Sequence, residues 1–245
     1  MITLRWGAER HHDRRHERDV WLTFFPQSGL DPLAHGYGAL EVFNEGRLPP
    51  GASVPRHAHH SAEIVTYVHR GALAFEESRG SSGVIQAGEF QRMTVGRGAR
   101  HRHTNVSRVD WSHFYQMWVC PADIGLESGH EQKRFSVAQR RGVLCVVASP
   151  NARRGSLRIH QDAVICSAIL DSGQHVVHEL APERQVWLHV VQGELSLGDV
   201  ILSAGDGVGV EAVRAVGLTA REDSELLLVD LNVMQPQPVP GEGLS

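Results

Sequence analysis

The chain lacks most of the features that mark secreted or membrane proteins. Among its 245 residues there are three cysteines, Cys120, Cys145 and Cys166, and none of them forms a Cys-x-x-Cys motif. An odd number of widely spaced cysteines in apolar surroundings is typical of buried, reduced thiols. No apolar run approaches the roughly 20 residues of a membrane span, and the polar N-terminal segment does not resemble a signal peptide. These absences favour a cytoplasmic protein that does not bind membranes.

An excess of basic residues is also missing. The 24 Lys and Arg residues are outnumbered by 28 Asp and Glu residues, and the net charge of -4 gives no general attraction to nucleic acid. The densest cluster of arginines, residues 10–18, contains four arginines and two acids. We interpret this cluster as a solvated surface segment and expect no nucleic-acid partner.

Glycine, by contrast, is abundant, with 25 residues that separate short apolar runs. Examples of these runs are residues 64–68, 71–75 and 90–95, and glycines recur between them at intervals near ten residues. Short strands with such regular turn signals are typical of a β-sandwich or β-barrel. The sequence therefore predicts an all-β fold.

The histidines of the first half are concentrated in two pairs, His57 with His59 and His101 with His103. Residues i and i+2 of a β-strand point to the same face, so each pair presents two imidazoles on one side. If the two strands face each other, four nitrogens converge, and neutral imidazole suits zinc, copper, iron or nickel. The pattern predicts a metal site formed by these four residues, with His60 on the opposite face of its strand.

The second half of the chain repeats the first in outline. Residues 65–75 and 187–197 each contain a strand, a glycine turn and a second strand, which favours two copies of one β-barrel module. The second copy has no His-x-His motif, and we predict that it binds no metal. The predicted divisions are a metal-binding barrel at 1–125, a linker at 126–142, a second barrel at 143–231 and a proline-rich tail at 232–245.

Two longer motifs resemble those of a known family. The first runs from Gly51 through the first histidine pair to Glu63, and the second runs from Gly88 through the second pair to Asn105. They resemble the two cupin motifs, and in detail they look like those of pirin-type bicupins. The resemblance covers roughly residues 19–231. It implies two tandem cupin barrels, each a double-stranded β-helix or jelly roll.

The resemblance also implies one metal ion, which could be iron, nickel, copper, cobalt, manganese or zinc. In the family pattern the ligands are three histidines, matching His57, His59 and His101, and a glutamate two residues later. This chain has His103 at the glutamate position, so the site would be one unit more positive. The family glutamate is assigned the role of proton acceptor. Here Glu63 is predicted as the catalytic base, and roles as a further ligand or as a hydrogen-bond partner of a ligand histidine remain open.

Members of the family are described as quercetin 2,3-dioxygenases or as iron-dependent transcriptional coregulators. We therefore expect a metal-dependent dioxygenase that opens a flavonol or related enol or aromatic substrate with O2. The alternative is a non-enzymatic metal or redox sensor that binds a protein partner. Apolar residues of neighbouring strands are candidates for the substrate cavity or for plain barrel core: Phe90, Met93, Phe114, and Tyr115 or Met117.

Overall fold

The structure is a computed structural model that describes residues 1–15, 18–25, 31–59, 62–78, 80–96, 98–123 and 125–233, without the side chains of residues 15, 55–59 and 99. Within this part of the chain almost all regular structure is β-strand. The exceptions are a short helix, α1 (Val137–Arg140), and two 3-10 turns at Gly7–Glu9 and Arg153–Gly155. No helix of the described residues is long and apolar enough to cross a membrane.

The strands are short and follow one another through tight turns, as the glycine spacing predicts. In chain order they are β1 (Ile2–Arg5), β2 (His11–Arg15), β3 (Arg18–Leu22), β4 (Leu40–Leu48), β5 (Ser53–His59), β6 (Glu63–Arg70), β7 (Ala72–Glu77), β8 (Ser82–Gln86), β9 (Glu89–Thr94), β10 (Ala99–Asn105), β11 (Ser112–Val119), β12 (Gly129–Arg134), β13 (Cys145–Ser149), β14 (Leu157–Arg158), β15 (Ala163–Leu170), β16 (His175–Glu179), β17 (Arg184–Gln192), β18 (Glu194–Leu197), β19 (Val200–Ser203), β20 (Gly207–Glu211), β21 (Ala215–Ala220) and β22 (Ser224–Asn232).

These strands form two barrels of the same design. In the first barrel, a sheet with the order β12-β9-β6-β11-β4-β3-β2 packs against a sheet with the order β5-β10-β7-β8. In the second barrel, the corresponding orders are β1-β20-β17-β22-β15-β13-β14 and β16-β21-β18-β19. Strands at matching places in the repeat, such as β6 and β17 or β10 and β21, occupy matching places in the sheets. The predicted all-β fold of two repeated barrels is confirmed.

Two peripheral strands do not follow the predicted divisions of the chain. Strand β1 pairs with β20 of the second barrel, although it precedes the first barrel in sequence. Strand β12, in the segment predicted as a linker, pairs with β9 of the first barrel. Each barrel thereby gains an edge strand, which covers backbone groups that an open sheet edge would leave unpaired. In the predicted tail, β22 ends at Asn232, and residues 234–245 lie outside the described chain.

The large sheets of the two barrels bury one face against each other. Along β6, Val65 and Tyr67 lie in the core shared with Trp187 of the second barrel. Ile64 and Val68, at the alternate positions, point into the first barrel. Both faces of β6 are therefore buried, which explains why its sequence is continuously apolar instead of alternating.

A buried ion pair crosses this contact. Arg140, at the end of α1, donates hydrogen bonds to Glu225 Oε1 at 2.8 Å, Tyr67 Oη at 3.0 Å and Ser167 Oγ at 3.2 Å. The Tyr67 hydroxyl also donates a hydrogen bond to Glu225. Burial alone would raise the pKa of Glu225, but the contacts with His69, Arg140 and Tyr67 outweigh burial and lower this pKa. The carboxylate therefore stays ionised between the barrels.

A fully buried histidine lies near the same contact. The ring of His189 is 4.4 Å from that of Phe43 and 5.6 Å from that of Tyr115, between centroids. Neither of its ring nitrogens has a hydrogen-bond partner among the described residues. Burial, with a smaller contribution from the charge of Arg10, lowers the pKa of His189 to about 3. The folded protein therefore holds this imidazole neutral.

We expect His189→Leu to stabilise the protein, with a gain that grows as the pH falls. Between the ordinary pKa of 6.5 and the folded value of about 3, the unfolded chain binds a proton that the folded protein excludes. The native protein thus loses stability as the pH falls below 6.5. Leucine removes this loss and also removes the unpaired ring nitrogens, which cost about 1 kcal/mol at neutral pH.

Urea unfolding at neutral pH and at about pH 5 measures both effects, since the histidine of the unfolded chain titrates between these two values. The exposed His175 of β16 provides a matched control, and His175→Leu should change the unfolding free energy at neutral pH by no more than about 0.5 kcal/mol. Equal losses of unfolding free energy on acidification in native protein and His189→Leu would contradict the prediction.

Candidate metal centre in the first barrel

Two of the predicted ligands, His101 and His103, lie on the inner face of β10. They are 0% and 1% exposed, and their ring centroids are 5.0 Å apart. The ring of His103 lies 6.3 Å from Phe114 of the opposite sheet, so both imidazoles point into the barrel, as strand parity predicts. The turn before β10 requires a glycine: Gly96 has a φ of +62°, and a Cβ there would approach the carbonyl oxygen of Leu126 to 2.6 Å.

The strand that carries the other pair is hydrogen-bonded beside β10. In the backbone register His57 lies opposite His101, and Val54 lies opposite His103. The register shifts between these two positions, and such bulges re-aim side chains next to functional sites. The side chains of His57 and His59, and the whole of His60, lie outside the described residues. Among the side chains that the structure describes, no group of three or more potential metal ligands comes together.

The strand on the other side of β10 contributes a carboxylate. Glu77 of β7 lies directly opposite His101, and Phe75 lies opposite His103. Directly opposite residues of an antiparallel pair share a face, with Cβ atoms about 4.5–5.5 Å apart. Glu77 is 7% exposed and continues the alternation that buries Leu73 and Phe75. The inner face of this sheet therefore presents an acidic group beside His101.

Glu63, the predicted base, makes its contacts elsewhere. It lies on the face of β6 that includes Val65, against the second barrel, and it is 0% exposed. One carboxylate oxygen accepts from the Thr94 hydroxyl at 2.9 Å and lies 2.7 Å from His160 Nδ1, and the other accepts from the His160 backbone N–H. This geometry does not favour Glu63 as ligand or base. It does orient a histidine, but His160 is not one of the predicted ligands.

A row of polar side chains crosses the inner face of the large sheet, opposite the sheet that carries the histidines. The strand register aligns Gln91, Thr66, Gln116 and Asn44 on the neighbouring strands β9, β6, β11 and β4. Gln116 donates to the Thr66 hydroxyl at 3.3 Å. Gln91 is 1% exposed, and neither atom of its amide has a hydrogen-bond partner among the described residues. A buried amide without a hydrogen-bond partner can bind a polar group inside the barrel.

The corresponding row of the second barrel is apolar. Val208, Leu188, Leu228 and Cys166 are aligned on β20, β17, β22 and β15, and all four are buried in the barrel core. On β21, which matches the histidine strand β10, the buried positions are Val216, Leu218 and Ala220. These side chains fill the second barrel, whereas polar groups line the first. A metal site in the first barrel only stays a prediction.

Neither the polar row nor Glu77 was predicted from the sequence. A signal for the row was present, because Thr66 interrupts an apolar strand and Gln116 follows two aromatic residues. The residues predicted to line the cavity face two different cores in the structure. Met93 and Phe114 face the interior of the first barrel, whereas three other candidates face the core between the barrels: Phe90, Tyr115 and Met117.

Comparison with known proteins shows relatives over nearly the whole chain. A protein of Escherichia coli K12 named quercetin 2,3-dioxygenase is 38% identical over 231 residues, which cover 94% of this chain and 99% of the relative. A pirin-like protein of Caulobacter vibrioides is 32% identical over 226 residues, covering 92% of each chain.

Solved structures agree with these matches. The crystal structure of YhhW from E. coli has a TM-score of 0.89 at 37% identity and covers 97% of this chain and 100% of its own. The structure of the bacterial pirin YhhW in complex with nickel(II) has a TM-score of 0.87 at 37% identity, covering 96% of this chain and 100% of its own.

Two family profiles divide the chain between the two barrels. The pirin profile matches residues 7–119, which contain both histidine pairs, and the quercetinase C-terminal cupin domain matches residues 146–231. Both barrels are therefore cupin domains, as the motif resemblance predicts. With this match and relatives that align along almost its whole length, the chain belongs to the pirin family.

Proposed function

We propose that this chain is a metal-dependent dioxygenase that opens a flavonol or a related enol substrate with O2. The observation that carries the proposal is the pair of buried imidazoles of His101 and His103, which faces a row of polar side chains inside the first barrel. The E. coli relative named quercetin 2,3-dioxygenase supports this reaction class. The nickel(II) complex of the related bacterial pirin supports a bound metal.

We assign the metal to His57, His59, His101 and His103. The two described imidazoles fit this role, because they share one face and are removed from solvent. Imidazole nitrogens suit nickel, iron, copper, cobalt or zinc, and the donor set does not select one of them. When bound, the metal would supply Lewis-acid chemistry that lowers the pKa of a substrate hydroxyl. Four neutral ligands leave its full charge available to an anionic substrate oxygen.

The remaining groups of the first barrel can position the substrate and receive its proton. Glu77 lies beside His101, and we assign it the role of proton acceptor that the sequence alone suggests for Glu63. Gln91 offers an unpartnered amide to a second polar group of the substrate. Met93 and Phe114 provide apolar surface on the same inner face, which suits an aromatic ring and excludes water.

Oxygen uptake with quercetin as the substrate tests the proposal directly. Metal-loaded protein should bind quercetin under anaerobic conditions, then consume O2 and flavonol in equal amounts when air is admitted. Binding without oxygen uptake, in protein verified in turn to hold nickel, iron, copper, cobalt and manganese, would rule out the dioxygenase activity.

Glu76, which precedes the proposed base Glu77 in the sequence, provides a matched control. Glu76 is partly exposed and pairs with Arg102 at 2.7 Å, whereas Glu77 faces the interior. We expect Glu77→Gln to lower kcat by about 100-fold or more, because the amide cannot accept a proton, while the metal is retained. We expect Glu76→Gln to leave kcat and metal content unchanged. Unchanged turnover in Glu77→Gln, or an equal loss in Glu76→Gln, would contradict the assignment.

A further inference from the structure

The second barrel has its own cavity, at the seam between its two sheets. The cavity has a volume of about 430 Å3 and lies between β13 and β15 of the large sheet and β16 of the small sheet. Leu144, Val146 and Cys166 form an apolar wall. This volume is within the range of about 300–1,000 Å3 that is usual for small-molecule sites. The metal centre proposed above does not include any of these residues.

Two arginines on the 3-10 turn after β13 line the same cavity. Neither the Arg153 nor the Arg154 guanidinium has a hydrogen-bond or ion-pair partner among the described residues, although both lie close enough to Cys166 to affect its pKa. Ala152 and Arg154 have φ values of +51° and +55°, which are unfavourable for residues other than glycine. Both arginines are exposed, so the turn places two guanidinium groups, unpaired among the described residues, along the cavity.

Hydrogen bonds fix the backbone of the turn that carries the arginines. The hydroxyl of Ser149, which is 0% exposed, accepts from the Arg153 backbone N–H at 3.0 Å and lies 2.8 Å from the Ser156 hydroxyl. Arg153 N–H also approaches Asn151 Oδ1 at 3.3 Å. The backbone under the guanidinium groups is therefore fixed, and a ligand would have to order only the side chains.

The acidic groups around the cavity limit the charge that it can accept. Asp230 is already engaged, with His178 Nε2 at 2.8 Å and Arg184 Nε at 2.7 Å, and both contacts lower its pKa against the effect of burial. Glu179 also lines the cavity and offsets one of the two free arginines. The balance of Arg153, Arg154 and Glu179 is one positive charge, which favours a monoanion over a phosphate dianion.

We infer that this cavity binds a small monocarboxylate with a short apolar tail. The planar guanidinium groups of Arg153 and Arg154 match the two oxygens of a carboxylate. The tail would lie along the wall formed by Leu144, Val146 and Cys166. The second barrel thus keeps a ligand site of its own, although the strand that matches β10 buries only apolar side chains.

Titration of full-length, 15N-labelled protein with hexanoate tests this inference. Hexanoate should shift the backbone amide signals of Arg153, Gly155 and Val177 to saturation, whereas 1-hexanol and inorganic phosphate should not. Signals of Thr66 and Gln116 report any binding of the carboxylate in the first barrel. The double substitution Arg153→Gln, Arg154→Gln should weaken the hexanoate affinity by at least about tenfold, because it removes two charged hydrogen-bond donors.

Arg158, an exposed arginine of β14 outside the cavity, is the matched control, and Arg158→Gln should bind hexanoate like the native protein. The two arginines that the double variant replaces are exposed and have no side-chain partner among the described residues, so thermal unfolding of the variant should be unchanged. The inference is overturned if hexanoate shifts only first-barrel signals, if the double variant binds as the native protein does, or if 1-hexanol or phosphate binds equally well.

Discussion

His101→Ala is expected to abolish metal binding and, with it, any oxygen-dependent turnover. The imidazole of His101 is 0% exposed and lies between Glu77 on one neighbouring strand and His57 on the other, in the backbone register. Loss of a partner outside the first coordination shell already lowers metal affinity by about 10–100-fold, and loss of a direct ligand should exceed this range. Elemental analysis of protein purified without an affinity tag measures the effect.

His175→Ala is the matched control for this experiment. His175 is exposed on β16, the strand of the second barrel that corresponds to β5, and its Nδ1 lies 2.9 Å from the Thr219 hydroxyl. This variant should keep the native metal content. His103→Glu, which introduces the carboxylate of the family pattern, should also keep the metal. Full occupancy in His101→Ala would show that the first-barrel histidines do not form the site.

Arg140→Ala is expected to cost about 3–5 kcal/mol of unfolding free energy, because it leaves the buried carboxylate of Glu225 without its cation. Glu225 is 8% exposed, and Arg140, Tyr67 and His69 are the groups around its oxygens. Arg140 belongs to the segment between the barrels and contacts strands of both. The loss should therefore be seen as a lower urea midpoint for the whole molecule.

The next residue provides the control. Arg141 pairs with Asp171 at the surface, with 51% of its side chain exposed, and Arg141→Ala should cost no more than about 1 kcal/mol. The double substitution Arg140→Met, Glu225→Leu should recover much of the loss, because it removes both buried charges together. A cost below about 1 kcal/mol for Arg140→Ala would contradict the role of this ion pair.

One repeated fold has two different interiors because polar residues of the first barrel are replaced by apolar residues in the second. Thr66 and Gln116 of the first barrel correspond to Leu188 and Leu228 of the second, on strands with the same place in the sheets. A buried polar side chain is unfavourable unless it has a partner, whereas a leucine fills space and excludes water. The first interior is therefore suited to binding a ligand, and the second interior is suited to stability.

The sequence by itself determined the elements that depend on local pattern. Glycine spacing predicted the short strands, and the repeat predicted two barrels. The period of two along a strand placed His101 and His103 on one face. All of these features depend on residues that are near in the chain or on a motif that recurs. They can therefore be predicted from the sequence alone.

Only the tertiary structure decided which face of each strand meets which partner. Strand β6 is buried on both sides, so the apolar pattern around Glu63 could not show that this residue faces the second barrel. Glu77 lies 24 residues before His101, and only the pairing of β7 with β10 brings them together. The edge strands β1 and β12 likewise joined sheets that their sequence positions did not indicate. Hydrophobicity reports burial, but the choice between two buried faces is made by long-range pairing.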